Sequence, residues 1–154
     1  MQKVYFVKMR RNVVFIVLLA LLIVGCRGKG EPERVAERWL SAYLECRFDD
    51  AQQLSAKEGS VIEQMRWRAS QLTQAEVELL AENKPTVEAE DVEPLQVPNA
   101  ELDSNTKSCV VTLMVHDALL LDSIGLPAHI GEQRYRLVLQ KEKGRNWKVT
   151  ALNP

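Results

Sequence analysis

Residues 108–117 read SCVVTLMVHD, and this stretch decides the fold that the sequence predicts. Apolar and β-branched side chains dominate it, as is typical of a β-strand in a protein core. Successive side chains of a strand point to opposite faces of its sheet. We therefore expect Cys109, Val111, Leu113 and Val115 to share one face and to pack against the core.

Two further strands are predicted after this stretch. Residues 133–142 and 147–152 are rich in apolar side chains with a period of two, and the turn-forming residues 144–146 separate them. This arrangement predicts a β-hairpin. Residues 122–131 contain glycine and proline and predict the loop that precedes the hairpin.

A helical period dominates the chain before residue 85. Apolar side chains recur there at spacings of three and four, which predicts a first helix with one buried stripe, formed by Val35, Trp39, Ala42, Tyr43 and Cys46. A short second helix should begin at residues 49–50 and end at Leu54. A third should run from Ser60 to about Ala81, either unbroken or restarting at the capping-box pattern of residues 73–76.

The order of these elements predicts the fold class. Residues 86–97 predict a first, irregular strand, because Pro94 and Pro98 interrupt its period of two. Helices that precede strands with hairpin-like links are typical of α+β domains. We therefore expect an α+β fold with its helices on one face of a four-stranded, mainly antiparallel sheet.

The first 25 residues differ from the rest of the chain. Four basic residues precede an uncharged, apolar stretch of 13 residues, 13–25, which is typical of a secretory signal peptide. A membrane-spanning helix needs about 20 apolar residues, so this stretch is short for one. The alternative is a short membrane anchor that stays attached.

Ile23-Val24-Gly25-Cys26 resembles the lipobox of bacterial lipoproteins. The resemblance implies that the Cys26 thiol receives a diacylglyceryl group before cleavage exposes its amine, and several acyl chains together give lasting membrane attachment. We expect a signal peptide over residues 1–25, a lipidated tether over 26–32 and a folded domain over 33–154. In bacterial lipoproteins an Asp directly after the lipidated cysteine favours retention in the inner membrane. This sequence has Arg27 at that position, so the resemblance implies an outer-membrane location facing the periplasm.

The charge of the processed chain limits its partners. The sequence has 20 Lys and Arg against 21 Asp and Glu, and four of the basic residues lie in the leader, which leaves a net charge of −5. Nucleic-acid binding requires a concentrated basic face, so we expect no nucleic-acid partner. The same balance predicts no second, electrostatic attachment to anionic lipid.

Three stretches carry a wider resemblance: residues 35–51 with the turn FDDA, the strand 109–115 and the hairpin 137–149. In this order they resemble the nuclear-transport-factor-two-like superfamily, and more narrowly a family of bacterial lipoproteins with its cone-shaped fold. The resemblance implies helices in the concave face of a curved sheet and a pocket at the open end. Some members are isomerases or dehydratases and many are binding or assembly modules, so fold alone selects no function.

Two cysteines remain once Cys26 is lipidated. Cys46 lies on the apolar stripe of the first helix and Cys109 on the core face of the predicted strand, so the two thiols could meet. An even number of cysteines beyond the inner membrane favours a disulfide. The alternative is two separate buried thiols that act as small hydrophobic side chains.

Asp117 is a candidate catalytic residue. It shares the parity of Val115, which would place it in the open end of the cone, where an apolar environment raises a carboxyl pKa and suits an isomerase base. The alternative is that Asp117 ends its strand in solvent, and His116 has the opposite parity. Asp122 and His129 would flank the pocket mouth, but two histidines without a Cys or Glu cluster predict no metal site.

Arg66, Trp67 and Arg68 form a candidate partner surface. Trp67 falls on the side of its helix opposite Ile62 and Leu72, which predicts that it is exposed. Tryptophan and arginine carry much of the binding energy at protein interfaces. The alternative is a Trp67 covered by a neighbouring helix or stacked on an arginine stem.

Together these features predict a lipid-anchored envelope protein whose domain has no catalysis, cofactor or metal of its own. The domain would bind an apolar small molecule or an envelope protein. The alternative function is an isomerase- or hydratase-like enzyme that uses Asp117 as its base.

Overall fold

The computed structural model describes residues 30–95, 106–121, 127–142 and 144–153. Within these ranges four helices precede a four-stranded antiparallel sheet, so the predicted α+β class is confirmed. The strands follow one another in the sheet in their chain order. The elements are α1 Glu31–Leu44, α2 Phe48–Leu54, α3 Ser60–Gln71, α4 Gln74–Glu82, β1 Thr86–Pro94, β2 Thr106–Leu121, β3 Pro127–Glu142 and β4 Lys148–Asn153.

Helix α1 is the central element of the helical layer. Pro32 and two glutamates occupy its first turn, where a missing N–H costs nothing and negative charge favours the helix dipole. Its inner side is buried over the whole width of the sheet, at Ala36, Trp39, Leu40, Ala42 and Tyr43. The predicted stripe is therefore correct within the helix. Cys46 lies two residues beyond the helix end, with a positive φ of 57°.

The third predicted helix is two helices. Leu72 has extended backbone, and Thr73 then starts α4 with a capping box. The Thr73 hydroxyl accepts a hydrogen bond from the Glu76 backbone N–H at 3.3 Å, and the Thr73 N–H donates to the Glu76 carboxylate at 2.7 Å. The second alternative in the sequence, a restart at residues 73–76, is the one that the structure adopts.

The core face of the sheet follows the parity expected from residues 108–117. Leu113 lies opposite Tyr135, Val111 opposite Leu137 and Cys109 opposite Leu139 on the neighbouring strand. All six side chains are buried and belong to one hydrophobic cluster with α1. The strands β2 and β3 are longer than predicted, because residues 127–131, expected in a loop, pair with the end of β2.

The centre of the core is a tryptophan that the helical layer inserts against the sheet. Trp39 is completely buried and stacks on Tyr43 with ring centroids 5.0 Å apart. Its indole N–H donates to the Ser55 hydroxyl at 2.8 Å, and that hydroxyl donates to the Ala51 carbonyl at 2.9 Å. Side chains therefore fill the sheet face that α1 covers.

The free edge of β4 is covered by the connection between α2 and α3. Ser55 forms a parallel bridge with Val149, and the Ala56 N–H donates to the Val149 carbonyl at 2.8 Å. A Cβ atom at Gly59 would lie 2.7 Å from the Thr150 carbonyl oxygen, so this approach requires glycine. The helical layer is thus attached to the last strand by backbone contacts as well as by packing.

Candidate functional site

The two cysteines of the domain do not meet. Cys46 and Cys109 are both free. Cys109 lies within the electrostatic influence of Glu33, in the first turn of α1, whereas Cys46 follows the other end of that helix and lies beside Arg68. A 14-residue helix spans about 20 Å, and a disulfide needs Cα atoms within about 7 Å. The disulfide prediction is therefore wrong in this structure, and the alternative of two separate thiols holds.

Neither thiol has the environment of a nucleophile. Burial raises the pKa of the Cys46 thiol, although Arg68 opposes the rise. Burial, with a smaller contribution from the Glu33 carboxylate, raises the pKa of Cys109 to about 11. Reactive cysteines need the thiolate near neutral pH, which these shifts disfavour; Cys109 belongs to the hydrophobic core, whereas Cys46 is half-buried outside it.

Asp117 lies in solvent rather than in an apolar cup. The register of β2 and β3 shifts between Val115 and Ala118, and Asp117 occupies this bulge with a φ of 57°. The extra residue moves the next buried position from 117 to Ala118 and leaves Asp117 exposed. Of the two alternatives that the sequence left open for Asp117, the structure adopts the solvent-exposed one; the inward alternative assumed an unbroken period of two. Its backbone carbonyl accepts a hydrogen bond from the Asn83 side chain at 3.2 Å.

His116 lies on the outer face of the sheet, as its parity predicted. Its Nδ1 is 2.8 Å from a carboxylate oxygen of Glu132 on β3. This hydrogen bond, with further negative charge from Glu88 and Asp117, raises the pKa of His116 above its ordinary value. The pair is exposed and links two neighbouring strands, which is a structural role.

Several predicted features lie outside the described residues. These are the leader 1–25, the lipidation site Cys26 with most of its tether, Asp122 and the side chain of His129. In the part of the chain that is described, no three His, Cys, Asp or Glu side chains gather to hold a metal ion. The helices in the same part are all too short or too polar to cross a bilayer.

Trp67 is exposed, which is one of the two alternatives that the sequence left open. Val61 and Met65 bury the inner side of α3, and at about 100° per residue position 67 points away from them. The indole is 68 % accessible, which is the largest exposed fraction among the big apolar side chains described. Neither a neighbouring helix nor an arginine stem covers it.

The two arginines that bracket Trp67 have different environments. Arg66 is exposed to solvent, like Trp67. Arg68 is turned inward, with its guanidinium carbon 4.7 Å from the centroid of the Tyr43 ring, in a cation–π contact. The predicted surface of three residues therefore reduces to Arg66 and Trp67, which we call the Trp67 surface.

The structure also contains a cleft that the sequence did not predict. It has a volume of about 820 Å³ and lies between residues 52–58, the first turns of α3 and the turn that joins β3 to β4. Among the described residues, four basic side chains and one acidic side chain line it: Lys57, Arg66, Arg145, Lys148 and Glu58. We call it the basic cleft. Its charged residues are up to 91 positions apart, from Lys57 to Lys148, and the net charge of the chain is −1, so no local sequence pattern indicates the cleft.

A second, smaller cleft of about 460 Å³ lies between α1, α2 and β1. Arg38 and Arg47 are its basic lining residues, and Arg47 donates to the carboxylates of Glu45 and Asp50. Glu45, which lies beside the cleft, also accepts from Lys84 at 2.7 Å. Ion pairs between neighbouring elements therefore occupy the Arg47 side of this cleft.

The outer face of the sheet carries ion pairs that reach across β2. Arg134 on β3 pairs with Glu90 on β1 at 2.8 Å, and Arg136 pairs with Glu93 at 3.4 Å. All four side chains are exposed, and exposed pairs of this kind contribute little stability. This face is a solvated surface whose charges are paired.

Comparison of the chain with protein-family models, with curated proteins and with solved structures found no match. The resemblances to the cone-shaped superfamily and to bacterial lipoproteins therefore stay predictions. The α+β arrangement itself rests on the structure and does not depend on them.

Proposed function

We propose that this chain is a lipid-anchored envelope protein whose domain binds a protein partner through the Trp67 surface and has no catalysis of its own. The observation that carries the proposal is the exposure of Trp67 on a folded helix. An exposed indole next to an arginine is unfavourable in water and typical of the centre of a protein interface.

The position of α3 supports this proposal, because it presents the Trp67 surface on a rigid element. The inner side of α3 is anchored by buried Val61 and Met65, and the Gln64 side chain donates to the Leu152 carbonyl of β4 at 3.1 Å. A side chain held on a packed helix loses little further entropy when it binds, which favours affinity.

The lipid anchor is the second part of the proposal. The described domain begins at Gly30, four residues after Cys26, and four residues span at most about 14 Å. Lipidation of Cys26 would therefore hold the domain close to the membrane surface. The partner that fits this position is another protein of the same envelope.

The enzyme alternative has less support. A general base needs an environment that adjusts its pKa and a site that holds substrate beside it. Asp117 is exposed on a bulge at the far end of β2 from the residues that line the basic cleft. This placement does not favour an isomerase or hydratase that uses Asp117.

Site-specific crosslinking in the native host tests the partner surface. A photoreactive phenylalanine analogue at position 67 of the full chain should give one discrete adduct, and the same analogue at position 130 should give none. Ile130 is a matched control because it is 63 % exposed but lies on β3. In parallel, Trp67→Ala should lose the partner in a pull-down that Ile130→Ala retains. Equal adducts at both positions, or none at position 67, would contradict the proposed surface.

Metabolic labelling tests the anchor separately. Radiolabelled palmitate should enter the wild-type protein and should not enter Cys26→Ser, which keeps the leader but lacks the thiol. A labelled Cys26→Ser, or an unlabelled and uncleaved wild type, would contradict the anchor and leave the Trp67 surface untouched.

A further inference from the structure

We propose that the basic cleft is a binding site for a phosphate-bearing anion. Among the described residues, three basic side chains of the cleft, Lys57, Arg66 and Lys148, have no acidic partner and lie with one acidic side chain, Glu58, in a chain whose net charge is −1. Such local segregation of charge costs electrostatic free energy in the empty protein. A bound anion would recover that free energy, and this is the physical basis of the proposal.

The basic side chains have donor capacity for a ligand. Among the described residues, Lys57 and Arg66 have no acidic side chain within ion-pairing distance. Lys148 donates to the Gln53 backbone carbonyl, and an ammonium group has two further N–H donors. Arginine and lysine both form charge-assisted hydrogen bonds with phosphate oxygens, which are about twice as strong as neutral ones.

Neutral donors surround the positive charges. Side-chain amides contribute to four positions of the lining, at Gln52, Gln53, Gln140 and Asn146. An amide NH₂ group can donate to a phosphate oxygen that an arginine or lysine does not reach. Within the described part of the lining, Glu58 carries the one carboxylate, so the balance of donors there favours an anion.

The framework of the cleft is held in place before any ligand binds. The wall that carries Lys57 is attached to β4 by the Ser55–Val149 bridge and the Ala56 hydrogen bond. Lys148 lies on β4 itself. Preorganised donors bind more tightly because less conformational entropy is lost on binding.

The size of the cleft indicates the class of ligand. Small-molecule sites commonly have volumes of about 300–1,000 Å³, and this cleft has about 820 Å³. That volume exceeds the need of a bare phosphate ion. Ile62 and Ala56 provide an apolar part of the wall, so a phosphate ester with a small organic group fits best.

Two sources could supply such an ester, a soluble metabolite or a lipid headgroup. Glu31, in the first turn of α1, accepts a hydrogen bond from Lys141 at 2.6 Å, and Lys141 is next to Gln140 of the lining. The start of the domain and the basic cleft therefore lie at the same end of the sheet. If Cys26 is lipidated as proposed above, this end faces the membrane; the lipid source rests on that proposal, and the anion site does not.

Calorimetric titration of the purified full chain in neutral detergent tests the site. Glycerol 3-phosphate should bind and glycerol should not, with an affinity that falls as salt is raised. The double variant Lys57→Gln, Lys148→Gln should weaken binding at least tenfold, whereas Arg134→Gln on the outer face should leave it unchanged. Both variants keep Arg66, so the Trp67 surface is intact and failure of one proposal is separate from failure of the other.

The same titration distinguishes the two sources with a short-chain phosphatidylglycerol below its micelle concentration. Tighter binding of this lipid than of glycerol 3-phosphate, lost in the double variant, would identify a headgroup site. Equal or weaker binding of the lipid would identify a soluble ester. A circular dichroism melt of each variant verifies that it folds. Absence of binding to both probes, or binding that the folded double variant retains, would overturn the proposal.

Discussion

At the scale of single residues, Ser55 links the most buried aromatic side chain of the domain to its helical layer. The Trp39 indole N–H has the Ser55 hydroxyl as its hydrogen-bond acceptor inside the core. Ser55→Ala removes the acceptor and leaves a buried donor unpaired, which costs about 1–3 kcal/mol. We expect this loss in the free energy of unfolding, measured by urea denaturation.

Ser70→Ala is the matched control for that prediction. Ser70 is an exposed serine whose hydroxyl donates to the Trp67 carbonyl at 2.7 Å within α3. Water replaces this bond when the hydroxyl is removed, so the free energy of unfolding should change by less than about 0.5 kcal/mol. Equal losses in the free energy of unfolding of the two variants would show that the buried hydrogen bond stabilises the fold no more than the exposed one.

His116 gives the domain a pH-dependent contact on the outer face. The Glu132 carboxylate raises the pKa of His116 above 6.5, so protonation favours the folded state. This contribution is fully present below the unfolded pKa of about 6.5 and is lost as the pH rises through the folded pKa. In an NMR titration, Glu132→Gln should lower the pKa of His116 towards 6.5, and Gln64→Glu, on α3, should not. An unchanged pKa in Glu132→Gln would contradict the pair.

At the scale of secondary-structure elements, α4 is the helix that depends most on its own sequence. Of its nine residues only Leu80 is buried, so tertiary packing contributes little to its stability. The Thr73–Glu76 capping box therefore contributes a large part of the stability of α4. Thr73→Ala should destabilise α4 locally by about 1 kcal/mol.

Hydrogen exchange measures this local effect. We expect faster exchange in Gln74–Glu82 of Thr73→Ala, with unchanged protection in β2. Thr112→Ala, at a half-buried position on the outer face of β2, is the control and should leave α4 unaffected. Faster exchange throughout the sheet of Thr73→Ala would contradict the local role.

At the scale of the whole molecule, Gly59 marks a close approach between the start of α3 and the last strand of the sheet. A Cβ at this position meets the Thr150 carbonyl oxygen at 2.7 Å, and the backbone φ of 153° is itself unfavourable for other residues. Gly59→Ala should therefore separate α3 from β4 and reduce the free energy of unfolding by more than about 1 kcal/mol. Thermal and urea unfolding both measure the change.

Gly144→Ala separates the two causes. Gly144 also has a positive φ, of 76°, but a Cβ there meets nothing within 4 Å. Its variant should show the backbone strain alone and should lose less stability than Gly59→Ala. A larger loss in Gly144→Ala would show that close packing at Gly59 is unimportant.

Local sequence patterns were sufficient to predict which side chains are buried wherever one periodicity continued without interruption. The stripe of α1, the core face of β2 and the exposure of Trp67 follow directly from periods of 3.6 and 2. The capping box at Thr73 was visible in the sequence as an alternative to a continuous helix. The inward alternative for Asp117 failed because one extra residue in a strand reverses the parity of all that follow.

The sequence by itself determined the α+β class, the order of helices and strands and the buried side of each main element. It could do so because a helix or strand with one buried side carries apolar residues at the period of that element, 3.6 or 2, and this period is visible within a short stretch of sequence. Only the tertiary structure decided that Cys46 and Cys109 lie at opposite ends of α1 and that Lys57, Arg66, Arg145 and Lys148 line one cleft. These relations join residues far apart in the chain, and they depend on strand register, bulges and loop paths that no short stretch of sequence encodes.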